Sequence, residues 1–341
     1  MSRKSSNAVF FDKLQNLTEA FLTRRNRIRR IKKEKQRVKN PALDWIEAFL
    51  WAAGMVLLAN QYLMQAYQIP SGSMIDTLLV GDHIFVNKLV YGPELLPGVG
   101  KLPSVFRPQR NDIIIFENPD YISRGPVFDL AQRIIYMLTI SLVDIDRDER
   151  GQPRAHFLIK RAVGMGGDCF TIENGEMLVR FAGEDRWVND RDYAVSRGWK
   201  HNLSRLMEAG QYPALRAAGQ AVAWTELGLT IPERLRDSLA AVSALRSYDN
   251  LAYEAARLET MRNAMPQERR YASLLARSRL GWYVPEGRMF PLGDNRDSSR
   301  DGRYFGPVRV ARVLGKGSLI YWPGGVSIRR PEAFKRFGII R

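Results

Sequence analysis

The chain has 341 residues, 45% of them apolar and 26% charged, with 52 Lys and Arg against 36 Asp and Glu, a net charge of +16. That is enough apolar material for one or two packed cores, and it excludes a wholly disordered chain, a collagen-like chain and a many-span transporter. Cys169 is the single cysteine, so no intrachain disulfide can form. His83, His156 and His201 fall in no zinc-binding pattern, and neither a Walker loop nor a G-x-G-x-x-G is present. No metal or nucleotide site is expected.

The charge is concentrated at the start. Residues 1–43 hold 13 Lys and Arg against 3 Asp and Glu. Arg24 to Lys39 can serve as a solvated tail, a nucleic-acid contact or a membrane flank. The run has no interleaved aromatics for base stacking, and the long uncharged stretch next to it favours the membrane. Ala48 to Ile75 carries no charged side chain. Its apolar part ends at Ile69, and 22 helical residues reach about 33 Å, enough for a bilayer core. Trp45, Trp51, Tyr62 and Tyr67 lie near its ends. The pattern predicts a basic cytoplasmic segment over 1–43 and a transmembrane helix over 44–69. Everything beyond then lies outside the cytoplasm, in a single-pass protein of the inner membrane.

After the helix come short runs rich in Val, Ile and Phe, bounded by Gly and Pro, over 83–92, 111–119, 156–164, 168–181, 281–293, 307–315 and 316–323. Asn174-Gly175 marks a hairpin turn. These runs predict a mostly β fold, an antiparallel catalytic domain in two parts, 70–195 and 281–341. Two stretches break the pattern. The apolar segment 127–146 is too short to span and predicts a short interfacial or buried helix. Residues 196–280 are rich in Ala, Leu, Arg and Glu at helical spacing and predict a helical insertion. Thr230 to Glu233 fits a capping box, and Pro213 and Pro266 mark helix ends.

Three blocks can carry chemistry. Pro70-Ser71-Gly72-Ser73 sits just past the apolar stretch; it is ordinary turn chemistry, yet it also offers a nucleophile. A serine hydroxyl needs a base, and no histidine lies in a suggestive context. Lys160, within Phe157-Leu158-Ile159-Lys160, is either an edge lysine in water or a desolvated amine of lowered pKa. Gly293 to Gly306 packs three Asp and three Arg into one loop that can satisfy its own charges.

Together these blocks resemble type I signal peptidase, the membrane-bound Ser/Lys protease that removes leaders from exported proteins. The resemblance runs through 70–92, 110–119, 159–168 and 284–306, in family order. It implies that Ser73 is the nucleophile and Lys160 the general base. It further implies that Ser71 and the Ser73 N–H form the oxyanion hole, and that Ser299 hydrogen-bonds the lysine amine. Asp294, Arg296, Asp301 and Arg303 are then structural supports, and Ile69, Met74 and Ile159 line pockets for small side chains before the cut. Preproteins with signal peptides are the implied substrates, and no cofactor is needed. Asp76 and Gly166 stand where the family usually has proline, which loosens the backbone without removing a reacting group. The insertion has no counterpart in this comparison, and no partner for it is named. Two rival readings are a Ser/Lys protease acting on another membrane or regulatory substrate, and an inactive membrane scaffold of the same fold.

Overall fold

The computed structural model describes residues 18–20, 22–28, 30, 41–75, 77–96, 99–104, 106–149, 151, 154–199, 207–245, 248–324 and 336–340. The chain divides into two compact units at Met55/Val56. In the first, the described part of the basic segment is helical. Helix α1, Pro41–Tyr62, is long and apolar enough to cross a membrane. Its Trp45, Phe49 and Trp51 side chains are exposed, as lipid-facing residues would be.

The helix stops short of the expected boundary at 69. Leu63 N–H still reaches back to Ala59 O, and then Met64–Gln68 forms strand β1. The reason lies in its partner: β1 pairs antiparallel with β2, His83–Asn87, over its whole length. Composition alone does not separate a lipid-facing helix from a strand with buried Ala66 and Tyr67.

The second unit continues with the hairpin β3, Glu94–Leu96, and β4, Val99–Lys101, then β5, Ile113–Glu117. Helix α2, Pro126–Leu138, is shorter than the segment 127–146 that predicts it. It ends at Thr139, after which Ile140 and Ser141 take positive φ values and turn the chain. Strand β6, Phe157–Met165, is followed by the hairpin β7, Cys169–Glu173, and β8, Glu176–Arg180. Asn174 and Gly175 both have positive φ, as a tight hairpin of this hand requires. Strand β9, Val188–Asn189, leads into α3, Asp190–Ser196.

Four helices then interrupt the β domain: α4 Tyr212–Glu226, α5 Glu233–Ser243, α6 Asn250–Ala264 and α7 Arg269–Leu280. Part of their core is Tyr212, Leu215, Ala218 and Val242. A Cβ at Gly219 would lie 2.4 Å from Tyr253 O, so glycine lets α4 and α6 approach. Two expected signals act differently. The residue before α5 is Pro232, with no side-chain cap, because the chain stays extended through it and Thr230 never reaches the helix. Pro213 opens α4 instead of closing a helix, since its missing N–H costs nothing in a first turn.

Strands β10, Trp282–Tyr283, and β11, Arg288–Leu292, return to the sheets, followed by α8, Gly302–Phe305, β12, Val308–Arg309, β13, Val313–Trp322, and β14, Gly338–Ile339. The large sheet runs β1-β2-β13-β5-β6-β11-β12, with β14 on β13; the second runs β10-β7-β8-β9. All pairings are antiparallel. The fold is thus an antiparallel β catalytic domain with a helical insertion, preceded by one apolar helix. Strand β6 pairs with β5 along Phe157–Arg161 but with β11 only from Arg161 onward. Among the described residues, one edge of Phe157–Lys160 is therefore open, as is the outer edge of β1.

Candidate active site

Ser73 sits in a single 3₁₀ turn, Gly72–Met74, directly after β1. Lys160 sits at the point of β6 where the β11 pairing begins. The fold brings the two together across 87 residues of sequence, with Lys160 Nζ 2.7 Å from Ser73 Oγ. The amine also donates to Ile159 O at 3.0 Å. Both side chains are nearly inaccessible, at 7% for Ser73 and 3% for Lys160. Burial pushes the Lys160 pKa down to about 8; the nearby Asp301 and Asp294 carboxylates oppose that shift and Arg303 adds to it. Ser71 is exposed, and its Oγ lies 3.5 Å from Ser73 Oγ.

The Asp/Arg loop is less self-contained than its composition suggests. Asp301 and Arg303 do pair within it, through Nε and one terminal nitrogen at 2.9 and 3.0 Å. Burial alone would raise the Asp301 pKa, but Arg303 and the Gly293 N–H outweigh it and hold the carboxyl below its ordinary value. The other two supports reach outside the loop. Asp294 receives a fork from Arg161 of β6, at 2.8 and 2.6 Å, and the hydroxyl of Thr77 at 2.5 Å. Arg296 forms an ion pair with Asp190 at the start of α3, at 2.6 Å. The loop is thereby clamped to the strand that carries Lys160 and to the second sheet.

Asn295 holds the turn that carries Ser73. Its backbone N–H donates to Ser73 O at 3.1 Å, and its side-chain amide donates to Gly72 O at 3.1 Å. Arg161, Thr77, Asp190 and Asn295 are absent from the expected site. For Arg161 and Asn295 a signal existed, since each adjoins a predicted site residue; Thr77 and Asp190 had none.

Ser299 departs from its expected role. Its buried Oγ makes no hydrogen bond to Lys160. The hydroxyl sits instead beside Asp301, whose carboxyl it helps to hold low. It is pressed against Gly293, where a Cβ would lie 2.2 Å from that oxygen and 2.6 Å from Ser73 O. The amine turns its donors to Ser73 and Ile159, which leaves the Ser299 hydroxyl behind. Gly293 is required by this close packing of the loop on the turn that carries Ser73.

A cleft of about 340 Å³ opens in front of the dyad. Ile69, Met74 and Ile159 all line it, together with Ser71, Ser73 and Lys160. Tyr67 and Phe157 form a further wall, rings 5.6 Å apart and edge to face, and Tyr136 of α2 lies 6.1 Å from Tyr67. These aromatics were not among the expected pocket residues. Asp76 lies outside the described residues. Gly166 leads into Gly167, whose φ of +90° favours glycine, and Asp168 closes the turn by accepting Met165 N–H at 2.7 Å.

A family model described as signal peptidase, peptidase S26, matches residues 42–322. The signal peptidase I of Aquifex aeolicus is 29% identical over 282 residues, covering 81% of this chain and 83% of that one. The signal peptidase I of Haemophilus influenzae is 27% identical over 301 residues, 85% of this chain and 74% of its own. That of Pseudomonas aeruginosa is 25% identical over 315 residues, 89% and 81% respectively. The family match takes in all but the first residue of α1, the strands from β1 to β13 and the helical insertion, and by it the chain belongs to the signal peptidase family, peptidase S26.

Proposed function

We propose that this protein is a membrane-anchored serine endopeptidase that removes signal peptides from exported preproteins, with Ser73 as nucleophile and Lys160 as general base. The observation that carries this reading is the 2.7 Å contact between a buried amine of lowered pKa and a hydroxyl at the floor of an open cleft. An extended substrate adds as a strand between the open edges of β1 and Phe157–Lys160, which presents its scissile carbonyl to Ser73. Small side chains before the cut fit against Ile69, Met74 and Ile159.

Ser73 Oγ bonds to the carbonyl carbon as its proton passes to neutral Lys160. The oxyanion is met by the Ser73 N–H and the Ser71 hydroxyl; loss of one such donor costs about 3 kcal/mol. Lys160 then gives its proton to the leaving amine, which frees the mature protein. In the second half Lys160 takes a proton from water, whose oxygen attacks the acyl carbon; the Ser73 Oγ–carbon bond then breaks as Lys160 returns that proton to Oγ, which releases the signal peptide and restores the neutral amine. Asp294, Arg296, Asp301 and Arg303 hold the frame in which the amine stays dry, and Ser299 supports Asp301.

Topology belongs to the same proposal. The basic run before α1 keeps the N-terminus in the cytoplasm, and the catalytic domain, 70–195 and 281–341 around the insertion 196–280, faces the other side. The test is direct. Detergent-solubilised full-length protein is incubated with a preprotein carrying an Ala-x-Ala leader. Cleavage after the second Ala, lost in Ser73→Ala, is the expected result; no cleavage by the wild type would leave an inactive scaffold.

A further inference from the structure

The cleft changes character along its length. Beside the dyad its walls are apolar, first Ile69, Met74 and Ile159, then Tyr67, Tyr136 and Phe157. Past Phe157, away from Lys160, the lining turns polar, with Asp144, Arg147, Arg154 and His156. Most of these charges have partners. His156 Nε2 lies 2.9 Å from the buried Asp146, and Arg124 and Arg154 lie 3.0 and 3.7 Å from the same carboxylate. Asp144 accepts from Gln132 at 2.9 Å and from the Asp146 N–H at 3.0 Å. Arg133, which also lines the cleft, pairs with Glu94 at 3.2 Å.

Arg147 is the exception. It is exposed, and its guanidinium donates to Gly151 O at 2.9 Å. Among the described residues it has no carboxylate within ion-pair distance, and Asp148 and Glu149, which follow it, do not line the cleft. Asp146, for its part, serves two guanidiniums with one carboxylate. The outer end of the cleft therefore presents an excess of positive charge. Substrate geometry says which residue meets it. A chain extended along Phe157–Lys160 advances beside the strand by about 3.3 Å per residue. With the residue before the cut beside Lys160, the fifth before it comes opposite Ala155 and His156, both in the cleft lining. Side chains alternate along an extended chain. The two Ala of an Ala-x-Ala leader face the pocket, so the fifth residue faces it too, and the sixth points away.

We propose that Arg147, with Arg154 beside it, forms a subsite for an acidic side chain five residues before the cut. An acid there meets a guanidinium that no carboxylate of the described chain answers, and a lysine meets a like charge. The subsite thus ranks substrates that share the same small residues at the cut. The proposal rests on the reading of Ser73 and Lys160 as a protease dyad with an extended substrate between β1 and β6.

The test uses detergent-solubilised full-length protein at low salt and a set of preproteins that share one Ala-x-Ala leader. They carry Glu, Gln or Lys at the fifth residue before the cut, or Glu or Lys at the sixth. At the fifth position Glu should exceed Gln about threefold and Lys about tenfold in kcat/KM. Salt at about 0.5 M should shrink both ratios below about twofold. At the sixth position Glu and Lys should differ by less than about twofold. Arg147→Glu should reverse the order and favour Lys about threefold, and Arg147→Lys should keep the wild-type order. Each ratio is taken within one variant, so a loss of folded enzyme cancels. Equal kcat/KM for the three residues at the fifth position overturns the proposal. So does a preference that Arg147→Glu leaves intact, or one equally strong at the sixth position, which the net charge of the substrate alone would produce. If no preprotein of the set is cut, the protease reading falls and this proposal falls with it; cleavage of all of them at one rate removes the subsite and leaves the protease.

Discussion

Among the described residues two lysines are buried, and burial pushes the pKa of each down to about 8. Lys160 touches a hydroxyl and lines the cleft. Lys88, just past β2, has the Glu94 carboxylate, Arg133 and Lys101 for charged neighbours and does not line the cleft. Desolvation acts alike on both. What separates a base from a buried cation is a nucleophile within touching distance and a route for substrate. A lowered pKa therefore marks a place where charge is costly, and the geometry around it assigns the work.

The sharpest way to break this comparison is to change each lysine in turn. Lys160→Arg keeps a cation that does not deprotonate, so cleavage should fall by about 10³ or more. Lys88→Met should leave kcat on a preprotein within about threefold. Single-turnover cleavage of purified, folded variants decides it. Equal losses at the two positions would mean that Lys160 has no special role.

Ser71→Ala tests the cleft side of the contrast. On the proposed mechanism it removes one oxyanion donor and leaves the backbone N–H of Ser73, so kcat should drop about 10²-fold with KM little changed. A loss as deep as that of Ser73→Ala would assign the nucleophile to the wrong serine.

The pH profile derives from the sign of the Lys160 shift. Only the neutral amine accepts a proton, and with a pKa of about 8 roughly a tenth is neutral at pH 7. Initial-rate kcat/KM should climb nearly tenfold per pH unit up to pH 7 and level off above about 8.5. Lys88→Met should not move that inflection. A flat profile between pH 6 and 8 would exclude the lysine as base.

How much of this was readable beforehand depends on how local the signal is. Neither Ser73 nor Lys160 stands out alone, since the first lies in ordinary turn chemistry and the second reads equally as an edge lysine in water; the four blocks in family order single them out. The strands were legible from Val, Ile and Phe runs between turns. The clamp of Arg161 on Asp294, the Arg296–Asp190 pair and the grip of Asn295 on Gly72 were not, because each joins segments that only the folded sheets bring together. The end of α1 was missed for another reason. Lipid and a protein core select the same side chains, so the apolar stretch ran on through β1.

The smallest effect expected is on stability, and it sharpens the comparison most. A lysine whose folded pKa lies near 8, against 10.5 unfolded, binds its proton more weakly in the folded state. Below pH 8 the folded protein therefore carries the full cost of the buried ammonium, about 3 kcal/mol for this shift. Stability rises as pH passes from 8 to 10.5, where the unfolded chain still holds a proton that the folded one has lost. Lys160→Met should then unfold at higher temperature than wild type at pH 7, and the gain should shrink towards pH 10. Asp301 and Asp294 near Lys160 are already paired with Arg303 and Arg161, so removing the amine strands no carboxylate. Lys88→Met should gain less, because the buried Glu94 then loses one of its cations and keeps Lys101 and an Arg133 guanidinium shared with Glu117 at 4.0 Å. Thermal unfolding of the two variants at pH 7 and pH 9.5 measures both differences. A lower melting temperature for Lys160→Met at pH 7 would mean that the amine is held by favourable contacts, and that its position costs the fold nothing.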